Sequence, residues 1–461
     1  MKATLALASP CWAHVGIGLQ KPLTARTRDR LADRGIPHPC WSGRWSWSRG
    51  VVGRFVGRLA SLSALVLVVG ACLMLSAERS VRAAVRPSGR PPTETSAARS
   101  RQPRPDNSVF LSVSCGATRR CQAVGAGPGS DTYAPVATGW DGARWSLEPV
   151  PNLAPRSPSL SVDGTIGGEL ESVSCASRSA CTAVGYEDVI IQGGSDIEPA
   201  LAERWDGRSW SIVSVTPAEE SPHDLVWPRP EAVSCPSQTT CIVVGQTIRE
   251  VAMAATIGAG GWSPQSISLP AGISELTGVS CVSMHDCLAV GTTAPDMFTN
   301  SSELIEHWDG AAWQRIPASA PQGADDVQPS GISCTTRACV VVGTYTTACN
   351  DPDQRCQQHA LIQRDTNNRW SRQWTKAPIG FVLTAVSCTS VRFCMAVGDL
   401  PMRWNGRSWL PTTLANPQDV GAGGVSCVSP KDCTMVSGRG SPRPYAEHWD
   451  GKSWHTQIIH G

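Results

Sequence analysis

A strong net charge is missing from this sequence. Its 461 residues carry a formal charge of +2 and only 17% of them are charged, so no overall field argues for nucleic acid or for an acidic partner. Lysine is scarce beside arginine. Tyrosines number four and histidines nine. So few tyrosines leave no visible cluster for a sialidase-type site with its tyrosine nucleophile. The histidines do not accompany the cysteines, as a structural zinc site would ask of them. There is no G-x-S-x-G, H-E-x-x-H, phosphate-binding loop or dinucleotide fingerprint, and no thioredoxin-like C-x-x-C. The expectation is a protein with no catalytic residue, no metal site and no cofactor.

What the chain does hold is 43 glycines, 35 prolines and 19 cysteines, a mix that suits many short strands and turns. So many cysteines at regular spacing point to an oxidising compartment. One long apolar run exists, Leu59–Ala77, with no charge in it and a length close to one bilayer crossing. Arginines flank it on both sides, so charge does not set its orientation; the later cysteines do, because they need the outside. Three readings stay open: an uncleaved signal anchor, which is preferred, a signal peptide cleaved after Ala77, and a lipoprotein modified at Cys72. Residues 1–58 then read as a disordered N-terminal region or as the product of a misplaced start, with the true one near Val51. Residues 78–106 are rich in Pro, Arg, Ser and Ala without apolar period, and read as a solvated tether. Residues 107–461 are the folded part.

That part repeats. Cysteine pairs recur at Cys115/Cys121, Cys175/Cys181, Cys235/Cys241, Cys281/Cys287, Cys334/Cys339, Cys388/Cys394 and Cys427/Cys433, each first cysteine preceded by Val-Ser or Ile-Ser. Most pairs run on into Ala-Val-Gly or Val-Val-Gly. A second module alternates with the first, as WDGARW, WDGRSW, WDGAAW, WNGRSW and WDGKSW. Its turn residues are Asp141-Gly142, Asp206-Gly207, Asp309-Gly310, Asn405-Gly406 and Asp450-Gly451. Degraded copies end at Trp262 and Trp370. In one unit ESVSC and CTAVGY are strand-like, with turn chemistry between them. ALAERW is a third strand, Asp-Gly a hairpin turn and WSIVSV a fourth strand.

Four antiparallel strands make a small sheet with two bare faces, which is unstable alone. Seven such sheets stacked in a ring bury those faces. The expected fold is all-β, a seven-bladed β-propeller of four-stranded blades with one disulfide per blade. Each cysteine pair lies on adjacent strands, where a Cα separation of about 5.5–6 Å suits a disulfide. An eighth pair, Cys349/Cys356, pins a long loop in the fifth unit. Cys11, Cys40 and Cys72 precede the folded part and read as free or lipidated. The second strands are apolar on both faces, and their terminal glycine lets adjacent backbones approach. No strand is visibly swapped, so the ring is expected to close by packing alone.

The SCxSxxxCxAVG…WDGxxW pattern resembles secreted or membrane-tethered propeller-like repeat proteins of actinobacteria, over about residues 109–459. The resemblance implies fold and an extracytoplasmic address, and no activity. DGxxW is also similar to the Asp-box of sialidase-type propellers, one residue shorter, in the turn between third and fourth strands.

Three functional classes follow. Glu203, Glu306 and Glu447 hold equivalent places in successive units, so they spread around the ring and do not form a catalytic pair. The Trp pairs read as cross-strand packing, with sugar stacking as the alternative. The gaps between second and third strands vary strongly. Residues 126–139, 186–200, 292–304 and 344–360 are therefore candidate recognition loops, with the connection 151–170 placed on the opposite face. The expectation is a monomeric binding or scaffolding module, tied to the membrane through residues 59–77, for an unknown protein or cell-envelope glycan. A lectin-like propeller is the alternative and a glycosidase the remote one. A structural envelope protein with no soluble ligand is the third class.

Overall fold

A computed structural model gives the structure of the chain. It describes residues 108–460 apart from short stretches, the longest being 152–161. The readings of 1–58, 59–77 and 78–106, and of Cys11, Cys40 and Cys72, fall outside the described residues. Among the described residues no helix is long and apolar enough to cross a membrane.

Seven antiparallel sheets follow one another along the chain, each built from four strands paired in sequence order. This is a seven-bladed β-propeller. The first blade shows the plan, with strands Val109–Ala117, Arg120–Pro128, Tyr133–Trp140 and Trp145–Glu148. Later blades open at Val162, Pro228, Ile273, Asp326, Leu383 and Ala422. First strands pack on first strands all the way round, the last on the first, so they make the inner ring.

All eight expected cysteine pairs are joined. One bond lies in each blade: Cys115–Cys121, Cys175–Cys181, Cys235–Cys241, Cys281–Cys287, Cys334–Cys339, Cys388–Cys394 and Cys427–Cys433. The eighth, Cys349–Cys356, follows the second strand of the fifth blade. Their spacing corrects the expectation of about 5.5–6 Å, which is the usual disulfide range. The Cα atoms stand 3.9 Å apart in Cys115–Cys121, Cys175–Cys181 and Cys427–Cys433. They stand 4.0 Å apart in Cys235–Cys241, Cys281–Cys287, Cys334–Cys339 and Cys388–Cys394. The reason is the rung they occupy. Within a blade the two cysteines are a non-hydrogen-bonded pair, the close rung of an antiparallel ladder, as Cys115 opposite Cys121 shows. Cys349 and Cys356, at 4.3 Å, sit just past the Thr347–Gln357 rung that ends the ladder.

The second strands carry the core. In Cys241–Thr247, Ile242 and Val244 pack into the fourth blade, while Cys241 and Val243 pack into the second. A strand used on both sides has no polar position to spare, which is why it reads CIVVG. Each of the seven interfaces has its own apolar cluster. Full burial of one such Ile or Val stabilises by roughly 1.5–3 kcal/mol. The glycine that ends this run does a different task from the one expected. In six blades the first strand carries a β-bulge opposite it, in the third between Pro230 and Ala232, while in the seventh Ser437 holds the place. A Cβ on Gly245 would lie 2.1 Å from the Arg229 carbonyl oxygen of the same blade. The close approach is within a blade, not between blades.

Ring closure corrects the expectation of packing alone. The backbone N–H of each first cysteine points out of its ladder, and the serine before the previous blade's first cysteine accepts it. Cys175 donates to Ser114 Oγ, Cys235 to Ser174 and Cys281 to Ser234. Cys334 donates to Ser280, Cys388 to Ser333 and Cys427 to Ser387. Cys115 donates to Ser426 Oγ at 3.0 Å and completes the circle. At the rim, Ile459–His460 leaves the seventh blade and adds to the first blade as a fifth strand, parallel to Trp145–Glu148. The Trp145 indole Nε1 donates to Gln457 Oε1 across the same seam, at 2.9 Å.

Candidate functional site

Antiparallel strands reverse direction at every step. The first-to-second and third-to-fourth connections therefore share one face of the ring, the hairpin face. The second-to-third and blade-to-blade connections share the other, the loop face. The candidate loops 126–139, 186–200, 292–304 and 344–360 are all on the loop face; 292–304 is described throughout, and in the other three, residues 129–132, 192–194 and 350–355 lie outside those described. The connection 151–170 joins them there and is not on the opposite face: its Val162 pairs with Ile191, at the start of the loop after the second strand.

The hairpin face holds the blade disulfides and the Asp-Gly turns. In each turn one carboxylate oxygen accepts two backbone N–H groups: Asp141 from Ala143 and Arg144, Asp206 from Arg208 and Ser209, Asp309 from Ala311 and Ala312, Asp450 from Lys452 and Ser453. Asn405 does the same with its amide oxygen for Arg407 and Ser408. These bonds hold the Asp carboxyls below their usual range. Gly142, Gly207, Gly310, Gly406 and Gly451 sit at φ between 91° and 99°, where a side chain would be strained. The tryptophans are structural. Trp205 and Trp210 pack at 5.6 Å between ring centroids, and the Trp210 indole donates to Glu148 Oε2 of the preceding blade. Trp313 and Trp454 reach back in the same way, to Gln265 and Thr412.

Glu203, Glu306 and Glu447 are buried in three separate blades. Glu447 accepts backbone N–H groups of Ala415 and Asn416, from the connection leading into its own blade. Burial pushes Glu306 up to about 7, and neither of its carboxylate oxygens has a hydrogen-bond partner. They do not come together as a site.

The loop face has two features that the sequence reading missed. The first is apolar. Of the large hydrophobic side chains exposed among the described residues, Tyr133, Ile248, Val251, Met297, Phe298 and Ile379 are on its loops. Phe298 is 75% exposed, yet an Asx turn holds it: Asp296 accepts the Phe298 N–H and the Thr299 hydroxyl. The second is a charged network on the inner ring. Arg439, after the second strand of the seventh blade, reaches past the first blade into the second. It donates to Glu169 at 2.7 Å and to Glu171 at 3.0 Å. Tyr186 donates to Glu169, and Arg229 lies 4.4 Å over the Tyr186 ring while pairing with Glu198 and Glu231. Burial, then the charges of Glu169 and Glu231, push Glu171 well up. Glu169 is buried too, but the Arg439 and Tyr186 hydrogen bonds hold it down. Glu171 and Glu231 are the bulged residues of neighbouring inner strands, and a signal existed: ESVSC and EAVSC place both four residues before a first cysteine. Nothing local marked Arg439.

Among the described residues no cluster of His, Cys, Asp and Glu could hold a metal ion. No protein-family model and no curated protein matches the chain, so its likeness to actinobacterial repeat proteins rests on the motifs alone. Solved structures similar to it include YCF48 bound to D1 peptide, at 10% identity over 77% of this chain and 94% of that one, TM-score 0.41. The GH74 xyloglucanase from Xanthomonas campestris is similar at 13% identity over 78% of this chain, which spans 55% of that enzyme's chain, TM-score 0.48. A fucose-specific lectin from Aleuria aurantia is similar at 11% identity over 62% and 93%, TM-score 0.38. At these identities and scores the likeness carries no argument about what this chain binds.

Proposed function

We propose that the chain is a binding module whose recognition surface is the loop face, presented outside the cytoplasmic membrane and held there through residues 59–77. The observation that carries it is that six of the seven large hydrophobic side chains exposed among the described residues lie on the loops of this one face, with Phe298 fixed by its Asx turn. A monomeric soluble surface seldom concentrates such groups unless something covers them. The partner that fits is a protein with apolar side chains flanked by basic ones, since among the described residues carboxylates outnumber cations on that face. A cell-envelope glycan is the alternative, and catalysis fits less well, because Glu169 and Glu171 are both engaged by Arg439.

The test is affinity purification of the full chain from its own envelope, beside the double variant Met297→Ser, Phe298→Ser. One envelope protein recovered with the native chain and lost with the variant is expected. Equal recovery with both, or binding on a glycan array with no protein partner, removes the reading.

A further inference from the structure

The near-zero total charge hides a separation. Among the described residues, the hairpin face gathers cations and the loop face gathers carboxylates. Hairpin tips carry Arg119, Arg120, Arg178, Arg337, Arg392 and Lys431, all exposed. The neighbouring Asp-Gly turns, and the degraded turn of the fifth blade, add Arg144, Arg208, Arg369, Arg407 and Lys452, also exposed. Sorted by blade, they occupy the fifth, sixth, seventh, first and second in succession, one unbroken arc. The third and fourth blades contribute none, and there His285, Asp286 and Asp309 stand instead. The acidic residues within the arc are largely spent. Asp141, Asp206 and Asp450 cap their own turns, and Asp432 meets His448 at 3.0 Å.

We propose that this arc docks the propeller on an anionic lipid bilayer. Three observations favour a bilayer over other polyanions. The hairpins are of nearly equal length and each is closed by a disulfide, so their tips are held at one level, as a flat surface requires. No exposed large hydrophobic side chain of the described residues sits on those hairpins or turns, so nothing there would stack on bases or insert among acyl chains. The cations are spread along an arc instead of lining a groove that could track one strand of nucleic acid. Arginines and lysines near a negatively charged leaflet act additively within a Debye length, which is about 10 Å at 0.1 M salt. Docking this way turns the loop face, with Phe298 and the Arg439 network, away from the membrane. The chain can accommodate that. The first strand starts on the loop face, and residues 78–107 can span up to about 100 Å when extended, well beyond the roughly 30 Å length of an inner strand.

The docking does not need the apolar run 59–77 to be retained, and one experiment separates the two. Full chain is mixed with nanodiscs of phosphatidylcholine alone or with added phosphatidylglycerol, and hydrogen exchange is followed at the hairpins and at loop 292–304. Retention on neutral discs reads the N-terminal segment. Protection of residues 177–180, 335–338 and 390–393 on anionic discs only, abolished by high salt, reads the arc. The exposed-site variant Arg178→Glu, Arg337→Glu, Arg392→Glu should lose that protection while its thermal transition stays where it was. Equal exchange on both discs, protection of loop 292–304 instead, or stronger hairpin protection by a DNA duplex than by the anionic discs would each overturn the proposal.

Discussion

At the scale of single residues, tolerance should follow backbone proximity. Gly245→Ala puts a methyl against the Arg229 carbonyl, while a Cβ on Gly258 meets nothing within 4 Å. The first change should destabilise by about 1–3 kcal/mol, and Gly258→Ala should be neutral or stabilise by up to about 1 kcal/mol, as denaturant midpoints would show. Glu306 gives a pH prediction. Its folded pKa of about 7 stands above the ordinary value of 4.5, so the folded state keeps its proton over a range where the unfolded state loses it. Stability is unaffected below that range and falls as pH rises through it, by about 1–2 kcal/mol once solvent screening is allowed for. Glu306→Gln removes the fall: its melting temperature should match the native protein near pH 4 and exceed it near pH 8. A native curve that is flat with pH would contradict the assignment.

At the scale of elements, the Asp-Gly turn contains its own control. Asn405 caps the sixth blade's turn with the same geometry that Asp206 uses in the second. Asp206→Asn should therefore be nearly neutral, and Asp206→Ala should cost about 1 kcal/mol, the usual range for a lost capping oxygen. Equal effects of the two changes would mean that the turn is held by Gly207 and the Trp pair alone. These elements were readable in the sequence because their determinants are local: a cysteine pair such as Cys175 and Cys181 six positions apart, Asp beside Gly, an apolar run too uniform for a one-sided strand. The inner-ring network was not readable, since Arg439 and Glu169 are 270 residues apart and meet only through the closed ring. The loop placement fails for another reason. Gap lengths do not reveal a face; strand direction does, and it puts 151–170 beside 186–200. The same step, applied to charges, exposes the cationic arc that a net charge of +2 conceals.

At the scale of the molecule, closure has two parts that can be tested apart. Removing residues 459–461 deletes the rim strand and leaves the Ser426–Cys115 hydrogen bond intact. The shortened chain should keep seven blades but show faster amide exchange in Trp145–Glu148 and a lower melting temperature. Unchanged exchange there would mean that the inner ring closes the propeller unaided. The two kinds of bond that hold the ring also differ in when they can form. Each cystine joins neighbours a few residues apart and needs no other blade, so oxidation can begin on the first hairpin to emerge. The last serine–amide link joins positions 311 residues apart and must wait until nearly the whole chain has been delivered. A chain arrested short of Ser426 would thus be oxidised in every finished blade and still open, with two uncovered apolar blade flanks, and those flanks are where quality control or aggregation would find it.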